Sequence, residues 1–208
     1  MDASKLLSKS RIVPVLVINE LAVAVDLAVT LRDAGIDTIE VTLRSPDALA
    51  AIELIATKVP DIIVGAGSVR QAKQFAEIAR HGAGFAVSPG ASDQLIEAAK
   101  NTNMPFVPGA ATASEMILLM EQGYHLQKFF PAELSGGIAK LKALSAPLPE
   151  VRFFPTGGIN ANLASDYLSL SCVSCIGGSW FVPPTLLADK NFKAIGQLAA
   201  EALKHSYE

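Results

Sequence analysis

The stretch Thr38-Ile39-Glu40-Val41-Thr42-Leu43-Arg44 alternates without a break. Successive side chains of a strand point to opposite faces, so Ile39, Val41 and Leu43 share one face. Thr38, Glu40, Thr42 and Arg44 share the other. The apolar face must meet covering helices, which turns the polar face inward. In a closed parallel sheet that interior is usually filled by branched aliphatic side chains. A carboxylate placed there needs a partner or a task. A structural ion pair with a nearby cation would supply a partner, but such a pair often stabilises no better than apolar packing. The balance favours a functional carboxylate.

Similar strands recur along the chain. Short apolar runs rich in Val, Ile and Phe fall at residues 12–18, 38–43, 62–66, 84–87, 104–107, 127–130, 151–154 and 173–176. Segments of helical period lie between and after them, at 21–33, 48–57, 72–80, 94–100, 114–122, 138–144, 163–168 and 192–204. Ser45-Pro46-Asp47 opens the second of these, and Gly35 and Gly123 close others. A strand every ~20–25 residues is the period of the βαβ unit. Eight units with no polar linker predict one domain over residues 1–208, an α/β protein with a (β/α)8 TIM barrel. Residues 1–10, with Leu6 and Leu7, predict a short helix ahead of the first strand. Pro14 conflicts with a central strand, which has no edge to excuse a missing N–H, and requires a local bulge.

Composition narrows the function. Of the 208 residues, 50% are hydrophobic and 18% charged, so the chain can build a core and is not disordered. A net charge of −3 gives no general basic surface for nucleic acid, yet permits a local cluster of donors around a small anion. No apolar run approaches the ~18–20 residues of a membrane span, and the N-terminus lacks the apolar core of a secretory signal. These features predict a soluble cytoplasmic protein with no membrane or nucleic-acid partner. Cys172 and Cys175 match C-x-x-C but precede an apolar stretch instead of opening a helix, and no second ligand pair exists for zinc. They read as small residues near a strand start. His81, His125 and His205 form no cluster, and His81 and His205 read as surface positions. No metal-ligand set is evident.

Leu126-Gln127-Lys128-Phe129-Phe130-Pro131 carries the second unusual residue. Lysine is among the side chains least often buried, and strands do not favour it. Its ammonium could snorkel to the rim. Apolar surroundings, however, disfavour the ammonium and leave a neutral amine able to attack a carbonyl. The resulting iminium is the electron sink that carbon–carbon cleavage needs. Strands two and six are four apart, hence roughly opposite in a small barrel, so Glu40 and Lys128 could reach one ligand.

The last two units end in paired glycines, Phe154-Pro155-Thr156-Gly157-Gly158 and Cys175-Ile176-Gly177-Gly178-Ser179-Trp180. Barrel enzymes often bind phosphate at these loops, where glycine lets backbone N–H groups approach the oxygens. One Gly-Gly could be only a tight turn; two at consecutive expected strands are more specific. Gly65-Ala66-Gly67-Ser68, Ser88-Pro89-Gly90 and Pro108-Gly109 put small residues at the mouth, and Ser68 is the strongest candidate there for direct contact.

Taken together, Glu40-Val-Thr-Leu-Arg44, Gly65-Ala-Gly-Ser68, Ser88-Pro-Gly90, Lys128-Phe-Phe-Pro-Ala-Glu133, Pro155-Thr-Gly-Gly158 and Gly177-Gly-Ser-Trp180 resemble the 2-keto-3-deoxy-6-phosphogluconate (KDPG) aldolases. The resemblance covers nearly the whole chain, in order. It implies a homotrimeric class I aldolase, without cofactor or metal, that splits KDPG into pyruvate and glyceraldehyde 3-phosphate in the Entner–Doudoroff pathway. Members often also act on 4-hydroxy-2-oxoglutarate. By the same resemblance Lys128 is the Schiff-base lysine and Glu40 the general acid/base. Arg44 and Ser68 contact the pyruvate-derived part with Pro89 nearby, and Thr156 lies near the substrate hydroxyls. Gly157, Gly158, Gly178 and Ser179 form the phosphate site. Ser68 stands where threonine is common, which keeps the hydroxyl. The related phosphogalactonate aldolases differ after the strand-two carboxylate, so Arg44 points to the gluconate epimer. Two rivals remain: another barrel phosphate enzyme, such as an epimerase, and a non-catalytic sugar-phosphate-binding barrel.

Overall fold

The computed structural model describes residues 3–7 and 10–206. Its strands are β1 (Ile12–Leu16), β2 (Thr38–Thr42), β3 (Ile63–Gly67), β4 (Ala86–Val87), β5 (Phe106–Val107), β6 (Gly109–Ala110), β7 (Leu126–Phe129), β8 (Arg152–Pro155) and β9 (Ile176–Gly178). The α-helices are α1 (Ala3–Leu7), α2 (Ala24–Asp33), α3 (Ala48–Lys58), α4 (Lys73–Arg80), α5 (Asp93–Asn101), α6 (Ala113–Glu121), α7 (Gly137–Ser145), α8 (Ala161–Leu168), α9 (Pro184–Ala188) and α10 (Phe192–Ser206).

Every strand pairing between these elements is parallel. Parallel neighbours need a crossover, and the alternating helices supply it. Six strands pair in the order β5-β4-β3-β2-β1-β9, and three in the order β6-β7-β8. The sheet is curled. Parallel bridges Phe153↔Val173 and Thr156↔Gly177 run between the β8 and β9 segments, and the Lys128 N–H donates to the Pro108 carbonyl at 2.8 Å.

Of the expected fifth strand at 104–107 only β5 forms, and a separate short strand beyond it, β6, joins the other sheet. Pro105 and Pro108 bracket β5, and Pro108 has no N–H to continue the ladder. Pro14 is handled within β1. Residues 12–14 are in register with β9, and the register with β2 begins at Val15, just after the residue that lacks a donor. The expected leading helix is α1, which carries the buried Leu7.

Two apolar layers follow from the alternation. Ile39 and Val41 of β2 pack outward with Leu27 and Leu31 of α2 and Ile52 and Ile55 of α3, all of them buried. Each such side chain stabilises the fold by about 1.5–3 kcal/mol on leaving water. On the inner face Val13, Phe85, Val87, Val107, Leu126, Phe154 and Cys175 close on one another and on Leu7. Gly65 makes room for the Phe85 ring: a Cβ there would lie 2.3 Å from its Cζ. No helix among the described residues is long and apolar enough to cross a membrane.

Phe85 is fully buried in the inner cluster. Phe85→Ala should lower the unfolding free energy by about 3–5 kcal/mol, read by denaturant titration. A loss below about 1 kcal/mol would mean that the cluster is not close-packed.

Candidate active site

Because the strands run parallel, the residues that follow them gather on one rim. Arg44 follows β2, Ser68 follows β3, Pro89 lies just beyond β4, and Thr156, Gly157 and Gly158 follow β8. Gly178 ends β9, and Ser179 comes next. All eight stand at the strand ends that the sequence pattern predicts for them.

Below this rim the inner face carries two charged groups. Glu40 is 0% exposed and Lys128 5%. Lys128 Nζ lies 3.4 Å from Glu40 Oε1, joining β7 to β2 across the inner space. Period-two alternation explains both placements, because their neighbours Ile39, Val41 and Phe129 pack in the outer layer. Lys128 Nζ also stands 5.2 Å from the centroid of the Phe130 ring, at a distance where an ammonium is attracted to the aromatic face. The other carboxylate oxygen, Glu40 Oε2, has no hydrogen-bond partner among the described residues. Neither has Thr156 Oγ1, also buried. Two polar atoms that would cost about 1–3 kcal/mol each if left unpaired therefore accompany the amine.

Glycines hold this space open. The register sets Glu40 beside Gly65 and Thr42 beside Gly67. A Cβ on Gly67 would fall 2.0 Å from Glu40 Oε1, and one on Gly177 would fall 2.4 Å from Thr156 Oγ1. A Cβ on Gly178 would fall inside the Trp180 ring, 1.8 Å from Cζ3, so packing alone already demands glycine there. The sequence pattern marks Gly67 as a small residue at the mouth and Gly177 as half of a phosphate-type glycine pair, and neither reading includes the room they leave for Glu40 and Thr156. The available signal was the Gly65-x-Gly67 spacing, which shares a face with the strand-two carboxylate.

At the rim the Thr42 hydroxyl donates to the Leu16 carbonyl at 2.9 Å and accepts from Arg44 Nε at 3.2 Å. Arg44 and Ser179 border one cavity of about 390 Å³, together with Val15, Asn19, Val182 and Leu187. Ser68 has a φ of 57°, a conformation of order 1–3 kcal/mol less favourable for a non-glycine residue and typical of functional turns. Gly157 and Gly158 have φ of 103° and 83°, which β-carbon-bearing residues rarely adopt. The exposed Pro89 packs its carbonyl against Gly109, where a Cβ would lie 2.4 Å away.

Cys175 lies in the inner apolar cluster. Burial, and then the charge of Glu40, push its thiol well above the ordinary range and hold it protonated. The histidines lie elsewhere. His81 is half-buried at the surface end of α4, its Nδ1 2.7 Å from the Glu77 carbonyl and its Nε2 3.8 Å from the exposed Glu53. His125 is exposed, and the side chain of His205 lies outside the described residues. Among the described residues no group of three or more His, Cys, Asp or Glu could hold a metal ion.

A model of the KDPG and KHG aldolase family matches residues 3–198. The 2-dehydro-3-deoxy-phosphogluconate aldolase of Dickeya dadantii is 45% identical over 202 residues, covering 97% of this chain and 95% of that protein. The KHG/KDPG aldolase of Escherichia coli K12 is 45% identical over 203 residues, covering 98% and 95%. A crystal structure of the Legionella pneumophila KDPG aldolase, with pyruvate captured at low pH as a covalent carbinolamine, superposes with a TM-score of 0.93 at 42% identity, covering 96% and 97%. A native KDPGal structure superposes less closely, with a TM-score of 0.84 at 26% identity, covering 95% and 94%.

The space that Gly67 leaves for the carboxylate is directly testable. Gly67→Ala should leave the fold intact at a loss of about 1–3 kcal/mol, while driving the Glu40 carboxylate away from Lys128. A variant crystal structure that keeps the 3.4 Å contact would contradict this geometry.

Proposed function

The chain belongs to the KDPG and KHG aldolase family, and from that premise we propose that Lys128 is its Schiff-base nucleophile and Glu40 its proton-transfer group. It is a class I aldolase that cleaves 2-dehydro-3-deoxy-6-phosphogluconate to pyruvate and glyceraldehyde 3-phosphate. The KHG half of the family description extends the same chemistry to 4-hydroxy-2-oxoglutarate. The observation that carries the assignment is the buried 3.4 Å contact between Lys128 Nζ and Glu40 Oε1.

In this reading the lysine, once deprotonated, attacks the C2 ketone. The carbinolamine loses water to give an iminium. Glu40, directly or through one water, takes the proton of the C4 hydroxyl. The C3–C4 bond breaks, its electrons flow into the iminium to form an enamine, and glyceraldehyde 3-phosphate leaves. Glu40 then helps return a proton to C3, and hydrolysis of the iminium frees pyruvate and regenerates the amine. Glu40 Oε2 and the Thr156 hydroxyl, without a hydrogen-bond partner among the described residues, are suited to substrate hydroxyls. Arg44 and Ser68 hold the carboxylate end, with Pro89 as a wall. Gly157, Gly158, Gly178 and Ser179 hold the phosphate, for which backbone N–H groups beside glycine suit an anion. The gluconate epimer is the preferred substrate, supported by Arg44 and by the higher identity to the KDPG enzymes than to the KDPGal structure.

The working unit in this proposal is one (β/α)8 domain whose two sheets act as a closed barrel, supported by the bridges Phe153↔Val173 and Thr156↔Gly177. The assembly is a cytoplasmic homotrimer that needs no cofactor. Leu118 and Leu134, 63% and 91% exposed, are apolar side chains available to an interface.

Borohydride reduction with pyruvate should leave a stable adduct on Lys128, located by peptide mass spectrometry. Lys128→Ala should form none and lose nearly all turnover. Glu40→Gln should still trap pyruvate while turnover falls on the order of 10²–10⁴-fold. An adduct on another lysine, or turnover by Lys128→Ala, would overturn the assignment. Assay of both C4 epimers should show preference for the gluconate form.

A further inference from the structure

The rim loop carrying Gly157 and Gly158 is gripped by a pair of side chains outside the reacting centre. Glu133 lies five residues beyond Lys128, in the turn that leads to α7. Its backbone N–H donates to the Gly157 carbonyl at 3.0 Å, and the Ala132 N–H donates to the Thr156 carbonyl at 2.9 Å. Its side chain presses on the same loop, since a Cβ on Gly158 would lie 2.7 Å from Glu133 Cβ. The carboxylate then reaches away from the site. Glu133 Oε1 accepts a hydrogen bond from the Tyr167 hydroxyl at 2.5 Å.

Tyr167 has the length and direction for this. It sits near the C-terminal end of α8, the helix that begins just after the glycine loop. Helical side chains tilt towards the helix N-terminus, so the phenol points back up towards the rim. Tyr167 itself is fully buried. Gly137, at the start of α7, completes the slot: a Cβ there would lie 3.0 Å from Glu133 Oε1 and 3.5 Å from the Tyr167 hydroxyl. Burial, then the hydrogen bond to Glu133, raise the phenol well above its ordinary range, which keeps its proton available for the bond.

We propose that Tyr167, acting through Glu133, is a positioning residue that fixes the Thr156–Gly158 loop against the lysine-bearing strand and so sets affinity for the phosphate end of the substrate. The inference rests on the assignment of Gly157, Gly158 and Ser179 to phosphate binding. A hydroxyl inside a helix core would otherwise be an unneeded polar group, since phenylalanine fills the same volume. Here it ties α8 to the turn after β7. The bond touches neither Lys128 nor Glu40, so Schiff-base formation should not depend on it.

The test compares a phosphorylated substrate, 2-dehydro-3-deoxy-6-phosphogluconate, with the phosphate-free 4-hydroxy-2-oxoglutarate. Tyr167→Phe should raise KM for the phosphorylated substrate about fivefold to tenfold, the scale of one ordinary hydrogen bond. It should leave kcat, KM for the phosphate-free substrate and borohydride trapping of pyruvate within about twofold. Glu133→Ala removes the same bond from the exposed side and should match it, whereas Glu133→Gln keeps an acceptor oxygen and should restore near-normal KM. Ser179→Ala is the control for the phosphate assignment, and it too should raise KM for the phosphorylated substrate alone. If Ser179→Ala has that effect and Tyr167→Phe has none, the positioning role falls and the phosphate assignment stands. If Ser179→Ala has no such effect, the phosphate assignment falls and takes the inference with it. Equal losses on both substrates in Tyr167→Phe would mark a purely structural residue and also overturn the inference.

Discussion

A lysine amine and a glutamate carboxylate held 3.4 Å apart, 5% and 0% exposed, are the constraint around which the inner face is built. Withdrawing two such groups from water carries a penalty of several kcal/mol per ion, and a pair buried for stability alone is often no improvement on apolar side chains. The surroundings supply no full set of hydrogen bonds to offset it, because Glu40 Oε2 finds no partner among the described residues. The arrangement is one a fold optimised only for stability would avoid. It becomes intelligible when the unpaired oxygen and the amine serve a substrate.

The neighbours follow from that choice. Glycine at 67 yields the volume that the carboxylate occupies, and glycine at 177 does the same for the Thr156 hydroxyl. The Phe130 face lies against the ammonium. Beneath the pair, Phe85, Val87, Val107, Leu126 and Phe154 form an apolar floor. Within that floor burial keeps Cys175 a neutral thiol. One end of the inner face is thus dry packing, and the other is polar and reactive.

Much of this was legible in the residue pattern. The unbroken alternation around Glu40 reports both the strand and the inward carboxylate, because its apolar side chains all fall on one face and its polar ones on the other. Lys128 was legible because lysine between phenylalanines contradicts a strand's usual composition. The break at Pro108 was harder, since the apolar run before it looks like any buried strand and only the pairing shows two partners. Gly67 reads as a mouth residue and Gly177 as part of a phosphate-type pair, because what a glycine makes room for here is a neighbouring strand's side chain. Glu133 and Tyr167 are 34 positions apart, and no local rule connects a turn glutamate to a tyrosine on an amphipathic helix. Such contacts depend on how helices pack, which periodicity does not encode.

The central claim is that the buried amine of Lys128 bonds to the keto carbon of pyruvate beside the Glu40 carboxylate. A crystal structure of the protein soaked with pyruvate tests it most directly. The account predicts continuous density from Lys128 Nζ to pyruvate C2, with a Glu40 oxygen within hydrogen-bond reach of the adduct. Pyruvate bound elsewhere, or an adduct from which Glu40 has turned away, would contradict it.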